Sequence, residues 1–181
     1  MQAELEVLVQ PYSLLEGRCL LVRLVEEFRA GNWEYFRAAV AFAKASGNYE
    51  ELLLEMLQFA QRGGRIDATF GADTFGGEAA GSEYQAIKTI VDALAKEPSV
   101  RIFLYHENGR TFHPKVYMFS TSVEERALLI IGSSNWSTGG FWENIEVNVL
   151  IHLELNREDH GRCYQHLLSC FENYWSDGGE A

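Results

Sequence analysis

Cysteine, proline and positive charge are all scarce in this chain, and each scarcity excludes something. Three cysteines in 181 residues are too few, and odd in number, for a disulfide framework. They point to free thiols in a reducing compartment, and so to a cytoplasmic setting. The three prolines stand at 11, 98 and 114, so there is no proline-rich linker or stalk. No run of about 18 apolar residues occurs, which leaves no transmembrane helix to place. The opening "MQAELEVLVQPYS" lacks a basic region and a long apolar stretch, and so does not read as a signal peptide. Fifteen Lys and Arg against 26 Asp and Glu give a net charge of −11. That balance counts against a general nucleic-acid coat that works by phosphate neutralisation. It leaves room for a local basic cleft, because binding responds to the local field. There is no internal repeat and no low-complexity tract, and the length suits a single domain over 1–181.

What is present alternates between strand and helix patterns. Residues 4–10 alternate as a strand, and 17–30 carry an apolar helical surface with Gly31 as a stop. A buried strand is expected over 35–43. Asn48 is a plausible N-cap with Glu51 three residues on, for a helix that closes at Gly63-Gly64. A strand over 65–72 follows, then a helix capped by Ser82 and stopped before Pro98. Strands are expected over 99–107, 111–120, 126–133 and 144–153, with a polar turn at 121–125. Asn156 caps a last helix whose first turn is acidic, as the helix dipole prefers. The alternation predicts an α/β layered domain, and the late run of strands predicts a mixed sheet.

The stretch "RTFHPKVYMF", 110–119, places His113 and Lys115 two residues apart. On a strand they share one face, with Tyr117, while Phe112, Pro114, Val116 and Met118 take the other. An imidazole beside an ammonium is of little use to a purely structural strand. Downstream, "GSSNWSTGGFWENIE" joins two apolar strands. Its Gly132 permits a close backbone approach, Ser133 and Asn135 supply hydrogen bonds, and Glu146 opens the next strand. His113, Lys115, Ser133, Asn135 and Glu146 therefore all fall at strand ends or in one loop, the edge where open α/β sheets bind ligands.

"HPKVYMF" followed by "GSSN" and by Glu146 eleven residues after Asn135 resembles the phospholipase D superfamily signature: H-x-K, then G-S-x-N and a downstream acid. The flanking text resembles most closely the phospholipase D-like nuclease branch, strongly over about 40 residues and more weakly upstream. The resemblance implies a phospholipase D-like α/β fold, a mixed sheet flanked by helices on both faces. It also implies phosphodiester cleavage through a phosphohistidine. One histidine attacks phosphorus, and a second protonates the leaving oxygen and later activates water. Lys115, Ser133 and Asn135 would hold the developing charge, and Glu146 would accept a bond from an imidazole N–H. No metal or other cofactor is implied. Two H-x-K sites are needed and the chain has one, so a homodimer with the site on its two-fold axis is implied.

The resemblance leaves three functions open. They are a nuclease acting on DNA or RNA, a phospholipid-cleaving enzyme, and a non-catalytic subunit of a defence or restriction complex. No base-reading module is recognisable, so cutting would be non-specific or directed by a separate DNA-recognition or helicase partner. No membrane partner is expected. Ser134, Trp136 and Trp142 are the candidates to contact substrate, with base stacking and the dimer seam as alternatives for the tryptophans. Ser120 stands where the family usually has aspartate. His106, Glu143 and Asn144 are expected to be structural. His160, Cys163, His166 and Cys170 invite a zinc reading, but one straight helix cannot wrap a single ion. Cys163, Leu167, Cys170, Phe171 and Tyr174 are instead expected to face the sheet. "GADTFGGEAAG" lacks the lysine and serine or threonine of a phosphate-binding loop.

Overall fold

The computed structural model describes residues 4–11, 19–30, 32–45, 49–72, 81–123 and 125–175, with the side chain of Trp175 excepted. Its seven strands are β1 (Glu4–Gln10), β2 (Tyr35–Val40), β3 (Arg65–Gly71), β4 (Val100–Tyr105), β5 (Lys115–Thr121), β6 (Arg126–Gly132) and β7 (Glu146–Glu154). Its helices are α1 (Leu20–Ala30), α2 (Glu50–Gln61), α3 (Tyr84–Leu94) and α4 (Glu158–Trp175). The strands form one sheet in the order β1-β7-β6-β5-β2-β3-β4. β2, β3 and β4 are parallel, as their helical crossovers require, while β5, β6, β7 and β1 run antiparallel. The mixed α/β fold is as the sequence predicts.

Apolar spacing decides which face each helix covers. α1 buries Leu20, Leu21, Leu24, Val25 and Phe28, and α2 buries Leu52, Leu53, Met56, Phe59 and Ala60, each a stripe at helical spacing. With α3 they cover one face of the sheet. Phe28 there meets Phe36, Phe59 and Phe119 edge-on, with centroids 4.8 to 5.4 Å apart. α4 alone covers the other face, on Met118, Leu129 and Leu153. Its inward residues are Tyr164, Leu167, Leu168, Phe171 and Tyr174. Cys163 is exposed, contrary to expectation, because the stripe is centred one residue later.

Two expected caps are corrected. Ser82 does not cap α3; its hydroxyl accepts the Ala43 N–H at 2.9 Å, tying down the segment after β2. Asn156 makes no side-chain hydrogen bond among the described residues, and α4 opens two residues later on Glu158 and Asp159. Gly63, at φ 97°, ends α2 as expected. Asn48, Gly31 and most of "GADTFGGEAAG" lie outside the described residues. Among the described residues no helix is long and apolar enough to cross a membrane.

Candidate active site

The site grows from the places where strands stop. Antiparallel pairing sets Lys115, the first residue of β5, opposite Val40, the last of β2. It likewise sets Gly132, the last of β6, opposite Asn148 of β7. One sheet edge therefore collects the end of β2, the start of β5, the end of β6 and the start of β7. The residues before Lys115 are not strand, because Pro114 has no N–H to give and its carbonyl instead accepts Ala41 N–H at 2.7 Å. His113 thus stands just outside β5. Its ring is still held by Lys115, whose Nζ lies 2.9 Å from both imidazole nitrogens and 3.3 Å from the His113 carbonyl oxygen. The Lys115 side chain is buried. Burial pushes its ammonium below the ordinary lysine range, and the negative charge of Glu146 opposes the shift.

The loop after β6 is clamped from both sides. A Cβ at Gly132 would overlap the Val147 carbonyl and the Asn148 side chain, so the close approach here is to β7. Ser133 N–H donates to the Val147 carbonyl, and the Ser133 hydroxyl accepts Val147 N–H, each at 3.1 Å. The same hydroxyl donates to Glu146. Asn144 also donates to Glu146, at 3.4 Å. Within one chain Glu146 is thereby fixed by Ser133 and Asn144. Within one chain the carboxylate lies close enough to bias the Lys115 charge, yet it makes no bond to the imidazole among the described residues. Asn135 turns its Oδ1 inward, closed to solvent and without a hydrogen-bond partner among the described residues. Its backbone packs so tightly on Gly140 that no Cβ fits there. The loop then makes a single π-helical turn over Gly139–Glu143.

Two of the three expected substrate contacts are corrected. Trp136 is 0% exposed, ringed by Tyr49, Phe70 and Phe141. Its backbone bridges in parallel to Ala43, just past β2, with Trp136 N–H donating to the Phe42 carbonyl and Lys44 N–H to the Trp136 carbonyl. It anchors the loop in the core and offers no face to a base. Ser134 is also fully buried. Its hydroxyl accepts from Asn148 Nδ2 at 2.9 Å, and its carbonyl accepts the Tyr117 hydroxyl at 3.0 Å. Trp142 is half-buried against the core. Tyr117 underlies the site on the Lys115 face. Burial, and secondarily the Glu146 charge, push its phenol far above the ordinary tyrosine range. Asn148 and Gln10 were not singled out by sequence reasoning. Gln10 is wholly buried and ties the loop to α1, donating to the Gly140 carbonyl and accepting from Leu20 N–H, both at 2.9 Å. A buried glutamine at the end of an alternating strand was the one available signal.

Ser120 lies at the opposite end of β5, roughly 17 Å from Lys115 at about 3.3 Å per residue. It bonds the Tyr164 hydroxyl at 2.9 Å and Arg37 at 3.3 Å. Its distance removes any direct role in holding the site's loop. His106 is exposed and bonded to Asn108. Three inter-strand spacings, about 14 Å, separate its strand from β5. In α4, His160 Nδ1 accepts Glu154 N–H at 3.1 Å. Among the described residues no three His, Cys, Asp or Glu side chains gather as a metal site.

Comparison with known proteins agrees with this geometry. A family model described as cardiolipin synthase, PLD-like domain, matches residues 34–175. No curated protein sequence matches significantly. Among solved structures, the phospholipase D family member Nuc from Salmonella typhimurium is similar at TM-score 0.64 and 15% identity, covering 99% of each chain. NucT from Helicobacter pylori gives 0.58 and 17%, covering 93% of this chain and 97% of its own. Phosphatidylserine synthase from Haemophilus influenzae gives 0.63 and 12%, covering 97% of this chain but 39% of its own. With a family match that runs from just before β2 to the end of α4, and a sheet edge that gathers H-x-K, G-S-x-N and an acid, this chain belongs to the phospholipase D-like domain family.

Proposed function

We propose that the chain is a metal-independent phosphodiesterase that cleaves nucleic acid, most readily DNA, from a homodimer. The observation that carries this reading is the buried Lys115 ammonium held against the His113 ring, beside Ser133, Asn135 and Glu146. A neutral imidazole nitrogen of His113 attacks phosphorus, and the bond to the leaving oxygen breaks. That oxygen takes a proton from a second histidine. Water, deprotonated by the same histidine, then displaces His113 and regenerates the enzyme. Lys115 offsets charge on the non-bridging oxygens at a site where burial strengthens the interaction.

The need for a second histidine and an uncovered surface support a dimer. His106 is bonded to Asn108, and His160 is committed at the other edge of the sheet. A two-fold axis beside His113 supplies the partner's copy. On the α4 side of the sheet, Val7, Val9, Ile131 and Val147 are exposed and contiguous by register, with Ile145 adjoining. This apolar strip borders Ser133 and Glu146, as a dimer seam at the site would. The near-equal lengths of this chain, Nuc and NucT fit a unit carrying one motif per subunit. The nuclease assignment rests on the sequence flanking the motif. Sedimentation tests the assembly: the wild type should run at twice 20.5 kDa, and Val147→Lys should be monomeric and inactive on bis(p-nitrophenyl) phosphate. A monomeric, active wild type contradicts the proposal.

A second reading, cleavage or transfer of a phosphatidyl group, is favoured by the description of the matching family model. Phospholipid vesicles in the same assay decide it: diester turnover on lipid but not on DNA selects that reading.

A further inference from the structure

A buried amide is costly unless both of its ends are bonded, and Gln10, the last residue of β1, is 0% exposed. Both ends are bonded. Oε1 accepts the Leu20 N–H at 2.9 Å, which satisfies one of the donors that open the first turn of α1. Nε2 donates to the Gly140 carbonyl at 2.9 Å, 130 residues along the chain, in the π-helical turn that follows G-S-x-N. The amide therefore joins the start of a helix to the loop that carries the motif.

Two residues of the site depend on where Gln10 stands. A Cβ on Gly140 would overlap the Asn135 carbonyl and nitrogen. The two backbones are thus in hard contact, and a displacement of one is passed to the other. Asn135 Oδ1 has no hydrogen-bond partner among the described residues, so that oxygen does nothing to fix the side chain. The turn itself is closed, with Gly140 N–H donating to the Ser137 hydroxyl at 3.0 Å and Asn144 N–H to the Gly139 carbonyl at 2.9 Å. The β1–β7 register also sets Gln10 directly opposite Glu146. One side chain outside both motifs reaches the loop that carries Asn135, and its backbone is paired with the acid.

We propose that Gln10 is a positioning residue of the diesterase. Its amide holds Gly140, and through Gly140 it sets Asn135 against the phosphate oxygens that Asn135 and Lys115 contact. α1 is the fixed end of the link, because Leu20, Leu21 and Leu24 are buried in the core. Gln10 touches no reacting atom, so its loss acts on turnover through geometry alone. The inference rests on the diesterase reading and adds to it a residue that neither motif contains.

Gln10→Glu separates the two bonds. It keeps an oxygen to accept the Leu20 N–H and turns the donor to Gly140 into a second oxygen, which repels the carbonyl. Gln10→Met removes both bonds at similar volume, and carries the test where Gln10→Glu does not fold. Turnover of bis(p-nitrophenyl) phosphate by the full chain, with folding checked by circular dichroism, should fall about 10²-fold in kcat, as a misplacement of about 1 Å costs. KM should stay within about twofold, since the lost interaction is one made in the transition state. Phe171→Leu disturbs the core from the opposite face of the sheet and should keep the wild-type kcat. A second readout does not depend on turnover. In ¹⁵N-labelled Gln10→Glu the backbone amides of Gly139 and Gly140 and the side-chain amide of Asn135 should shift, while those of α4 stay in place. If the wild type turns over no diester and these signals still move, the diesterase reading fails and the contact from Gln10 to Asn135 stands. Wild-type kcat in both Gln10 variants, an unmoved Asn135 amide, or an equal loss of kcat in Phe171→Leu overturns the proposal.

Discussion

Replacing Trp136 with alanine separates anchoring in the core, where the structure places the indole, from the base stacking that the sequence leaves open. If the indole anchors the G-S-x-N loop in the core, its loss is a stability effect first. The side chain is fully buried among Tyr49, Phe70 and Phe141. A tryptophan buries up to about 250 Å², which at about 25 cal/mol per Å² sets an upper limit near 6 kcal/mol. Substitutions of this kind cost about 3–5 kcal/mol, a large share of the roughly 5–15 kcal/mol that holds a domain folded. No hydrogen bond is lost besides, because Nε1 has no partner among the described residues. Urea unfolding followed by circular dichroism reads the change. With a slope of about 2 kcal/mol per molar, the midpoint should fall by roughly 2 M. Trp136→Phe should lose less than half as much. A midpoint that moves by under about 0.5 M, together with weakened oligonucleotide binding, would refute the anchoring account and restore the indole as a stacking platform.

Other perturbations reach the same edge. Gly132→Ala places a methyl against the Val147 carbonyl and Asn148 and should cost about 1–3 kcal/mol in urea unfolding, with diesterase activity lost alongside. Tyr117→Phe strands the buried Ser134 carbonyl and should cost about 1–3 kcal/mol by the same measurement. Lys115→Met should abolish about 10² to 10³ of turnover while raising stability at neutral pH. The sign follows from the lowered lysine pKa in the fold. The unfolded chain keeps this proton to higher pH, so wild-type stability recovers as pH rises through the folded pKa towards the unfolded one. The advantage of Lys115→Met should therefore shrink as pH rises towards the ordinary lysine pKa, as compared by thermal unfolding at neutral and alkaline pH.

The elements that repeat a period were legible: the amphipathic stripes of α1, α2 and α3, and the alternating strands from β1 to β7. That the two motifs meet at one sheet edge was legible too, because H-x-K and G-S-x-N are local in sequence and strand ends are readable. What was not legible depends on neighbours far along the chain. That Ser120 bonds Tyr164 of α4 and Arg37 of β2 depends on where those elements pack, which the sequence does not show. Trp136 in a polar loop reads as exposed until its backbone is seen to pair with Ala43, just past β2. Ser82 has the composition of an N-cap, yet its hydroxyl is claimed by Ala43, 39 residues away. Glu146 was expected on the imidazole, but Ser133 and Asn144 lie nearer within one chain.

The central claim is that His113 is the nucleophile of a reaction needing no metal. Its most direct test is cleavage of single- and double-stranded DNA in excess EDTA by the wild type and by His113→Ala, each confirmed folded by circular dichroism. The account predicts cleavage by the wild type that EDTA leaves intact and that the variant lacks entirely. Cleavage that EDTA abolishes, or that persists in His113→Ala, would contradict it.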